Sequence, residues 1–209
     1  MSTPITILGG YLGAGKTTLI NRLLAEPHGR KLTILVNDFG AINIDAELID
    51  NHDGETMSLT NGCACCQLRD DMIEQLSQLA GQKNKPGHII VEASGAGEPA
   101  RLAYLGYGIE GLQLDSVLVA VDASTVAQKC SDKFVGKLVR RQIAQADMIL
   151  LTKADATDDD AAKAQEMIEQ MTHAPLLNAR QQALAEIIFE RPAKHHPIAL
   201  ADDEADAGA

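Results

Sequence analysis

A glycine-rich segment near the start of the chain has the residue types and spacing that bind phosphate groups. Gly10 to Thr17 fits the pattern G-x-x-x-x-G-K-[ST], follows a short apolar stretch at Ile5–Leu8 and precedes apolar residues at helical spacing. A strand, a glycine-rich turn and a helix in this order form a phosphate-binding loop (P-loop), in which backbone N–H groups and the helix dipole attract anions. The residues predicted to hold a nucleotide here are Gly10, Gly13, Ala14, Gly15, Lys16, Thr17 and Thr18.

Two side chains of the P-loop have distinct tasks. Lys16 is expected to reach the β- and γ-phosphates as a point charge, and the Thr17 hydroxyl to ligate Mg²⁺. The alternative is a glycine-rich turn with a chance lysine. The correct strand and helix patterns on either side argue against that alternative.

Other polar residues follow apolar stretches of strand type. Glu92 ends the stretch that begins at His88, where the metal-organising acid of a P-loop enzyme belongs, and we expect it to hold Mg²⁺ through water. Gly95 is placed to offer its backbone N–H to the γ-phosphate. Asp38 follows Leu32–Val36 and is either a second Mg²⁺ contact or switch element, or an ordinary turn residue.

The tetrad Thr152-Lys153-Ala154-Asp155 follows the apolar stretch Met148–Leu151 and bears on the choice of base. A carboxylate at Asp155 accepts hydrogen bonds from N1–H and the exocyclic amine of guanine, whereas adenine would leave it unpaired. The stem of Lys153 can lie along the ring. In a P-loop chain the tetrad favours GTP over ATP.

Three cysteines, Cys63, Cys65 and Cys66, form a second distinctive cluster. Thiols this close in sequence rarely meet disulfide geometry, but they can converge on Zn²⁺ or Co²⁺. Three thiolates leave one tetrahedral position open, which suits metal transfer better than a permanent structural site. The alternative is a group of buried small hydrophobic residues.

Composition narrows the class of protein. The 209 residues carry a net charge of −11, which argues against nucleic acid or an anionic membrane as the partner. The N-terminus lacks the pattern of a signal peptide, and no stretch approaches the ~20 apolar residues of a membrane span. We therefore expect a cytoplasmic protein with reduced thiols, built as one domain at 1–191 and an acidic, disordered tail at 192–209.

The elements that must position these residues alternate along the chain. Apolar stretches of strand type are separated by segments of helical spacing, including Arg69–Leu79, the segment that follows Asp122 and runs to Ala146, and Gln181–Phe189. This alternation predicts an α/β fold of the P-loop NTPase type, with a mostly parallel central sheet and helices on both faces. Ligands of such sheets bind at the carboxyl ends of the strands, where the polar residues above are found.

Taken together, the motifs resemble those of the CobW-type metallochaperone GTPases of the CobW/HypB/UreG superfamily. The resemblance covers about Ile5 to Phe189. The matching pieces are Gly9 to Thr18, Asn37 to Gly40, Gly62 to Cys66, Glu92 to Gly95 with Pro99, Val121 to Ala123, and Thr152 to Asp155.

The resemblance implies a GTP-dependent metal-handling protein. GTP binding would organise the cysteine site, and hydrolysis would permit release of zinc, or of cobalt, to an unidentified client metalloprotein. A second copy of this chain, in a homodimer that forms on nucleotide binding, is left open as a further partner.

The chain departs from the family pattern in three ways. Asp38 stands where the family usually has Glu, and Thr152 replaces the common Asn of the base tetrad, which removes one hydrogen bond that braces the loop. The further C-terminal domain usual in the family is not found in this sequence.

Three functions remain as hypotheses. The first is a slow Mg²⁺-dependent GTPase that delivers a divalent metal. The second is a nucleotide-gated module for metal binding or docking with negligible hydrolysis, which the missing domain favours. The third is an ATP-using P-loop enzyme of small-molecule metabolism.

Overall fold

The computed structural model describes residues 2–26, 29–36, 55–58, 65–154 and 158–190. Seven strands and eight helices lie in these ranges. The strands are β1 (Thr3–Gly9), β2 (Leu32–Val36), β3 (Glu55–Ser58), β4 (His88–Glu92), β5 (Leu112–Asp122), β6 (Met148–Thr152) and β7 (Leu176–Asn178). The helices are α1 (Lys16–Ala25), α2 (Cys65–Gly81), α3 (Pro99–Leu102), α4 (Tyr104–Gly108), α5 (Val126–Ser131), α6 (Gly136–Ala144), α7 (Asp158–Glu169) and α8 (Leu184–Glu190).

The strands form one sheet in the order β3-β2-β4-β1-β5-β6-β7. Each pair of neighbours is parallel, so all carboxyl ends meet at one edge of the sheet. β1 is central, between β4 and β5, and therefore carries the P-loop into the middle of that edge. The predicted α/β fold with a parallel sheet is confirmed.

Two apolar layers cover the sheet, because alternate residues of each strand face opposite sides. One layer packs against α2, α5, α6 and α7, through side chains such as Met72 and Ile143. The other packs against α1 and α8, through side chains such as Ile20 and Ile188. Helices on both faces explain why the central strands are buried on both sides and mostly apolar.

β5 contains one extra residue. Ile5 pairs with Leu114 and Thr6 with Ser116, so Asp115 has no partner position on β1. Such a bulge exchanges the two faces of the strand beyond it. Residues on both sides of the bulge therefore share one core layer: Leu112, Leu114, Val117, Val119 and Val121.

The bounds of several elements differ from the sequence prediction. α2 begins at Cys65 rather than Arg69, and α8 begins at Leu184 rather than Gln181. The predicted single helical stretch between Asp122 and Ala146 is two helices. The Asp132 side chain accepts hydrogen bonds from the N–H groups of the next turn and so ends α5. Among the helices of the described residues, every one is too short or too polar to cross a membrane.

Candidate functional site

The P-loop connects the end of β1 at Gly9 to the start of α1 at Lys16. Gly10, Gly13 and Gly15 have φ values of 134°, 75° and 86°, which side chains with a Cβ rarely adopt. A Cβ at Gly10 would also lie 2.4 Å from the Ala120 carbonyl oxygen. The glycines of the motif are therefore required by the fold of the loop itself.

Lys16 lies between the P-loop and Glu92. Its Nζ donates a hydrogen bond to the Gly10 carbonyl at 3.2 Å and is 3.8 Å from Glu92 Oε1. Glu92 is only 5% exposed, and its position opposite Leu8 in the β1–β4 pair brings it to the P-loop. The buried carboxylate and the ammonium thus form a charge pair at the point where a phosphate group would enter.

Mg²⁺ prefers carboxylate and hydroxyl oxygen ligands, and it keeps several waters when phosphates supply the rest. Glu92 offers the first kind of ligand beside the P-loop. Thr17, the second residue of α1, offers the second kind. This donor set fits Mg²⁺.

Three side chains brace the outer side of the P-loop. Thr152 Oγ1 donates to the Ala14 carbonyl at 2.8 Å, Lys153 Nζ to Gly13 at 3.0 Å, and Lys129 Nζ to Leu12 at 3.0 Å. They hold three consecutive carbonyls, and the braces come from β6, the residue after β6, and α5. The shape of the loop is therefore set by its surroundings before any ligand binds.

Two of the three side chains that brace the P-loop, Lys129 and Lys153, are positively charged. Burial lowers the pKa of Lys129, and the nearby charges of Lys153 and Lys16 lower it further, while Asp122 opposes these effects. Lys129 also lies over the ring of Tyr11, with Nζ 5.3 Å from the centroid. The ammonium groups of Lys16, Lys129 and Lys153 therefore all lie at the P-loop, and positive charge there suits a polyphosphate.

Asp122 holds the side chain of Lys153 in place. Its Oδ2 lies 2.7 Å from Lys153 Nζ, and its Oδ1 accepts from the Ser124 backbone N–H and hydroxyl. Burial raises the pKa of the Asp122 carboxyl, but the hydrogen bonds from Lys153 and Ser124 lower it by more, so the pKa is below its ordinary value. Asp122 is ionised at neutral pH and keeps Lys153 directed at the P-loop.

The loop after β4, residues 93–98, lies against the P-loop. The Ala93 N–H donates to the Leu8 carbonyl at 2.8 Å, and a Cβ at Gly95 would lie 2.9 Å from the Leu12 nitrogen. From the other side, Gln142 Nε2 donates to the carbonyls of Gly95 and Gly97. Arg141 pairs with Glu98 at 2.9 Å, so α6 holds both the middle and the end of this loop.

The structure brings together the predicted residues of the P-loop with Glu92, Gly95, Thr152 and Lys153. Asp38, Cys63 and Asp155 lie outside the described residues, as do the side chains of Cys65 and Cys66 and the predicted tail at 192–209. Within the described ranges, no group of three His, Cys, Asp or Glu side chains converges on a common point. The predicted cysteine metal site and the guanine contact of Asp155 therefore remain predictions.

Sequence reasoning assigned no role to Lys129, Asp122 or Gln142. Asp122 had a usable signal, because it ends a strongly apolar strand at the edge where ligands bind. Lys129 and Gln142 lie on helices, where a polar residue usually faces solvent. Only the packing of α5 and α6 beside the P-loop shows what they contact.

The parallel sheet and the P-loop at its centre define a P-loop nucleotide-binding domain. The chain belongs to the CobW/HypB/UreG nucleotide-binding domain family, which matches residues 4–178. It is 33% identical over 184 residues to the zinc chaperone YjiA of Escherichia coli (84% of this chain, 55% of the relative). It is 32% identical over 189 residues to the zinc chaperone CobW of Sinorhizobium sp. (77% of this chain, 53% of the relative).

Solved structures agree with this assignment. The crystal structure of the Zn(II)-bound YjiA GTPase from E. coli matches with a TM-score of 0.59 and 25% identity, over 85% of this chain and 57% of that one. HypB from Helicobacter pylori in complex with nickel has the same fold, with a TM-score of 0.62 and 17% identity over 93% of this chain and 91% of that one. This chain spans about half the length of the curated relatives it matches.

Proposed function

We propose that this protein is a Mg²⁺-dependent GTPase that couples GTP hydrolysis to the transfer of a divalent metal to a client protein. The observation that carries the proposal is the braced P-loop, with Lys16 held between the Gly10 carbonyl and Glu92, in a member of this family. The relatives named zinc chaperones favour Zn²⁺ as the metal, with Co²⁺ as a second candidate.

The reaction breaks the bond between the γ-phosphorus and the β–γ bridging oxygen, and water supplies the new oxygen of the phosphate. Lys16 would leave the Gly10 carbonyl to contact the β- and γ-phosphates. Thr17 and Glu92 would hold Mg²⁺, which when bound neutralises charge on the phosphate oxygens. The Gly95 N–H would contact the γ-phosphate and thereby distinguish GTP from GDP.

Guanine recognition is assigned to the tetrad that begins with Thr152, the last residue of β6. Thr152 and Lys153 brace the P-loop and so connect the base site to the phosphate site. The Thr152 hydroxyl has one proton for two nearby carbonyls, Ala14 at 2.8 Å and Val121 at 3.2 Å, so it makes one bracing bond where an Asn amide could make two. Asp155 would select guanine through its carboxylate.

The metal cargo is assigned to Cys63, Cys65 and Cys66. The order of strands supports this assignment, because β3 ends at the same sheet edge as β1 and only three strand spacings away, about 14 Å. α2 begins at Cys65, seven residues beyond Ser58, the end of β3. A chain of that length spans at most about 25 Å, so Cys65 lies within that distance of the end of β3. These limits are compatible with a metal site that responds to the nucleotide.

The proposed setting is the cytoplasm, where thiols stay reduced. The partners are GTP, GDP, a divalent metal and a client metalloprotein, with neither nucleic acid nor membrane among them. A homodimer that forms on nucleotide binding is an additional proposal.

The test measures phosphate release from GTP and affinity for Zn²⁺ and Co²⁺ in the free, GDP-bound and GTP-analogue-bound states. Lys16→Ala should abolish phosphate release, and Cys65→Ser should weaken metal binding while GTP binding persists. Cys130→Ala is the control, because Cys130 lies on α5 and is buried in the core layer. Linkage requires that metal and GTP strengthen each other's binding by the same factor.

Two outcomes would contradict the proposal. Equal metal affinity in all nucleotide states would leave a guanine-nucleotide-binding protein with no metal transfer. State-dependent metal affinity without phosphate release would instead identify a nucleotide-gated metal-binding module.

A further inference from the structure

Gln142 is a buried amide whose contacts are made to a loop rather than to its own helix. The residue lies on α6 and is 1% exposed. Its Nε2 donates to the Gly97 carbonyl at 2.6 Å and to the Gly95 carbonyl at 3.2 Å. An amide nitrogen carries two protons, so both bonds can exist together.

Gly95 lies between Gln142 and the P-loop. On the P-loop side, a Cβ at Gly95 would lie 2.8 Å from a Leu12 methyl carbon and 2.9 Å from the Leu12 nitrogen. The Gly95 carbonyl also accepts a hydrogen bond from Gln142. Because a bond to the carbonyl restricts rotation about the Gly95 Cα–C bond, Gln142 limits the conformations that Gly95 can adopt.

We propose that Gln142 is a positioning residue that holds Gly95 with its N–H directed at the γ-phosphate, and so sets how strongly the site prefers GTP to GDP. The inference rests on the proposed function, in which the Gly95 N–H contacts the γ-phosphate. Gln142 itself does not touch the nucleotide. It acts by fixing the two carbonyls of the 93–98 loop.

Other contacts hold α6 and the end of the 93–98 loop, so the role of the Gln142 amide differs from general support of the fold. α6 is held against the sheet by apolar side chains on the same face, Val139 and Ile143. The end of the loop is held independently by the pair of Arg141 and Glu98. Replacing the amide of Gln142 therefore leaves the helix and the end of the loop in place, and releases chiefly Gly95 and Gly97.

The experiment compares wild type, Gln142→Leu and Gln142→Glu, each with Mg²⁺, for binding of GDP and of a non-hydrolysable GTP analogue. Gln142→Leu keeps the size of the side chain but has no donor. Gln142→Glu keeps the shape but places carboxylate oxygens against two carbonyls. In both variants the ratio of GTP-analogue affinity to GDP affinity should fall about tenfold, while GDP affinity stays within about twofold of wild type.

Gln145→Leu is the matched control, because it makes the same change at the end of the same helix. In the described part of the chain, Gln145 makes no hydrogen bond to the 93–98 loop, and its Oε1 is buried without a partner. This variant should keep the wild-type ratio. The KM of Gln142→Leu for GTP should rise about tenfold as well, because KM follows the dissociation constant when hydrolysis is slow.

Spectroscopy on the wild-type protein tests the same inference without a substitution. The Gly95 amide and the Gln142 side-chain amide should both change resonance between the GDP and GTP-analogue states. A wild-type affinity ratio in Gln142→Leu would overturn the inference. So would unchanged Gln142 side-chain signals, even if both variants at Gln142 failed to fold.

The result also separates this inference from the proposed function. A wild-type protein that does not bind GTP contradicts the proposed function itself. A wild-type protein that binds and hydrolyses GTP, with Gln142→Leu indistinguishable from it, contradicts only the role of Gln142.

Discussion

Buried polar side chains occur in two regions of the molecule, inside the sheet and at its carboxyl edge, and they are used differently. In the interior, Thr6, His88 and Ser116 form a cluster on three neighbouring strands, with Thr6 Oγ1 2.8 Å from His88 Nε2 and 3.3 Å from Ser116 Oγ. At the carboxyl edge, Thr152 and Gln142 instead donate to backbone carbonyls of loops. The first group joins strands to one another, whereas the second gives loops a fixed shape.

The difference shows how this fold separates stability from function. Polar groups that bond to each other inside the sheet contribute to the free energy of unfolding and have no route to a ligand. Polar groups that bond to loop carbonyls leave the opposite side of the same loop facing the phosphate site. Substitutions in the two regions should therefore change different measured quantities.

Lys16→Ala should have the largest effect, and it should be on binding. A charge-assisted contact to phosphate contributes up to about 3 kcal/mol, so GTP affinity should fall about 100-fold. Titration calorimetry with GTP and Mg²⁺ measures the change. Lys83→Ala is the control, because Lys83 is exposed on the turn after α2. Equal GTP affinity in wild type and Lys16→Ala would show that the P-loop is not the nucleotide site.

His88→Ala should reduce the free energy of unfolding by about 2 kcal/mol and leave GTP affinity unchanged. The substitution removes a buried ring that packs 4.7 Å from the Phe189 ring and takes a hydrogen-bond partner from Thr6. Urea denaturation measures the loss, and His173→Ala at an exposed position controls for the substitution itself. A large loss of GTP affinity would mean that the two regions are coupled.

Asp122→Asn tests the carboxyl edge of the sheet through the pH dependence of the free energy of unfolding. Because the pKa of Asp122 is lowered by folding, its carboxylate stabilises the protein above the unfolded-state pKa of about 3.8, and this contribution is lost as pH falls through the lower folded-state pKa. Wild type should thus be more stable than Asp122→Asn by about 1.5 kcal/mol at pH 7.

The stability difference should persist to about pH 5 and shrink below about pH 4. Denaturant titrations at pH 7, 5 and 3.5 would measure it. Asp71→Asn, an exposed site on α2, is the control. A difference that grows as the pH falls would contradict the assigned direction of the pKa shift.

The smallest effect is expected when the same substitution, threonine to valine, is made at position 152 and at position 33. Thr152→Val removes the bond to the Ala14 carbonyl and should cost about 1 kcal/mol of stability, together with a few-fold loss of GTP affinity. Thr33→Val should be neutral or stabilising, because the Thr33 hydroxyl is fully buried and lacks a partner among the described residues. Melting temperatures and nucleotide titrations of both variants give the comparison. Equal destabilisation by both would show that the Thr152 bond contributes little.

Local sequence was sufficient to predict the P-loop and the position of Glu92. A P-loop is one strand, one turn and one helix, so its residues are neighbours in the chain. The end of an apolar parallel strand is likewise recognisable from the sequence, which located Glu92, Thr152 and Lys153.

The braces could not be predicted in the same way. Lys129 lies 117 residues from the carbonyl it contacts, and Gln142 lies 47 residues from Gly95. Periodicity shows which face of a helix is apolar, but the reach of a polar side chain to a distant loop depends on how the elements pack. The extra residue in β5 was also not predicted, because the apolar run Val117–Val121 that follows it is buried on both faces and shows no alternation.

That extra residue, Asp115, has a consequence at the far end of β5. Side chains alternate strictly along a strand, so deleting one residue would turn every later side chain to the opposite face. The carboxylate of Asp122 would then exchange sides with Val121 and lose its hold on the lysine after β6. One additional amino acid inside the sheet thus keeps the side chains at the carboxyl end of β5 oriented toward the loops that they support.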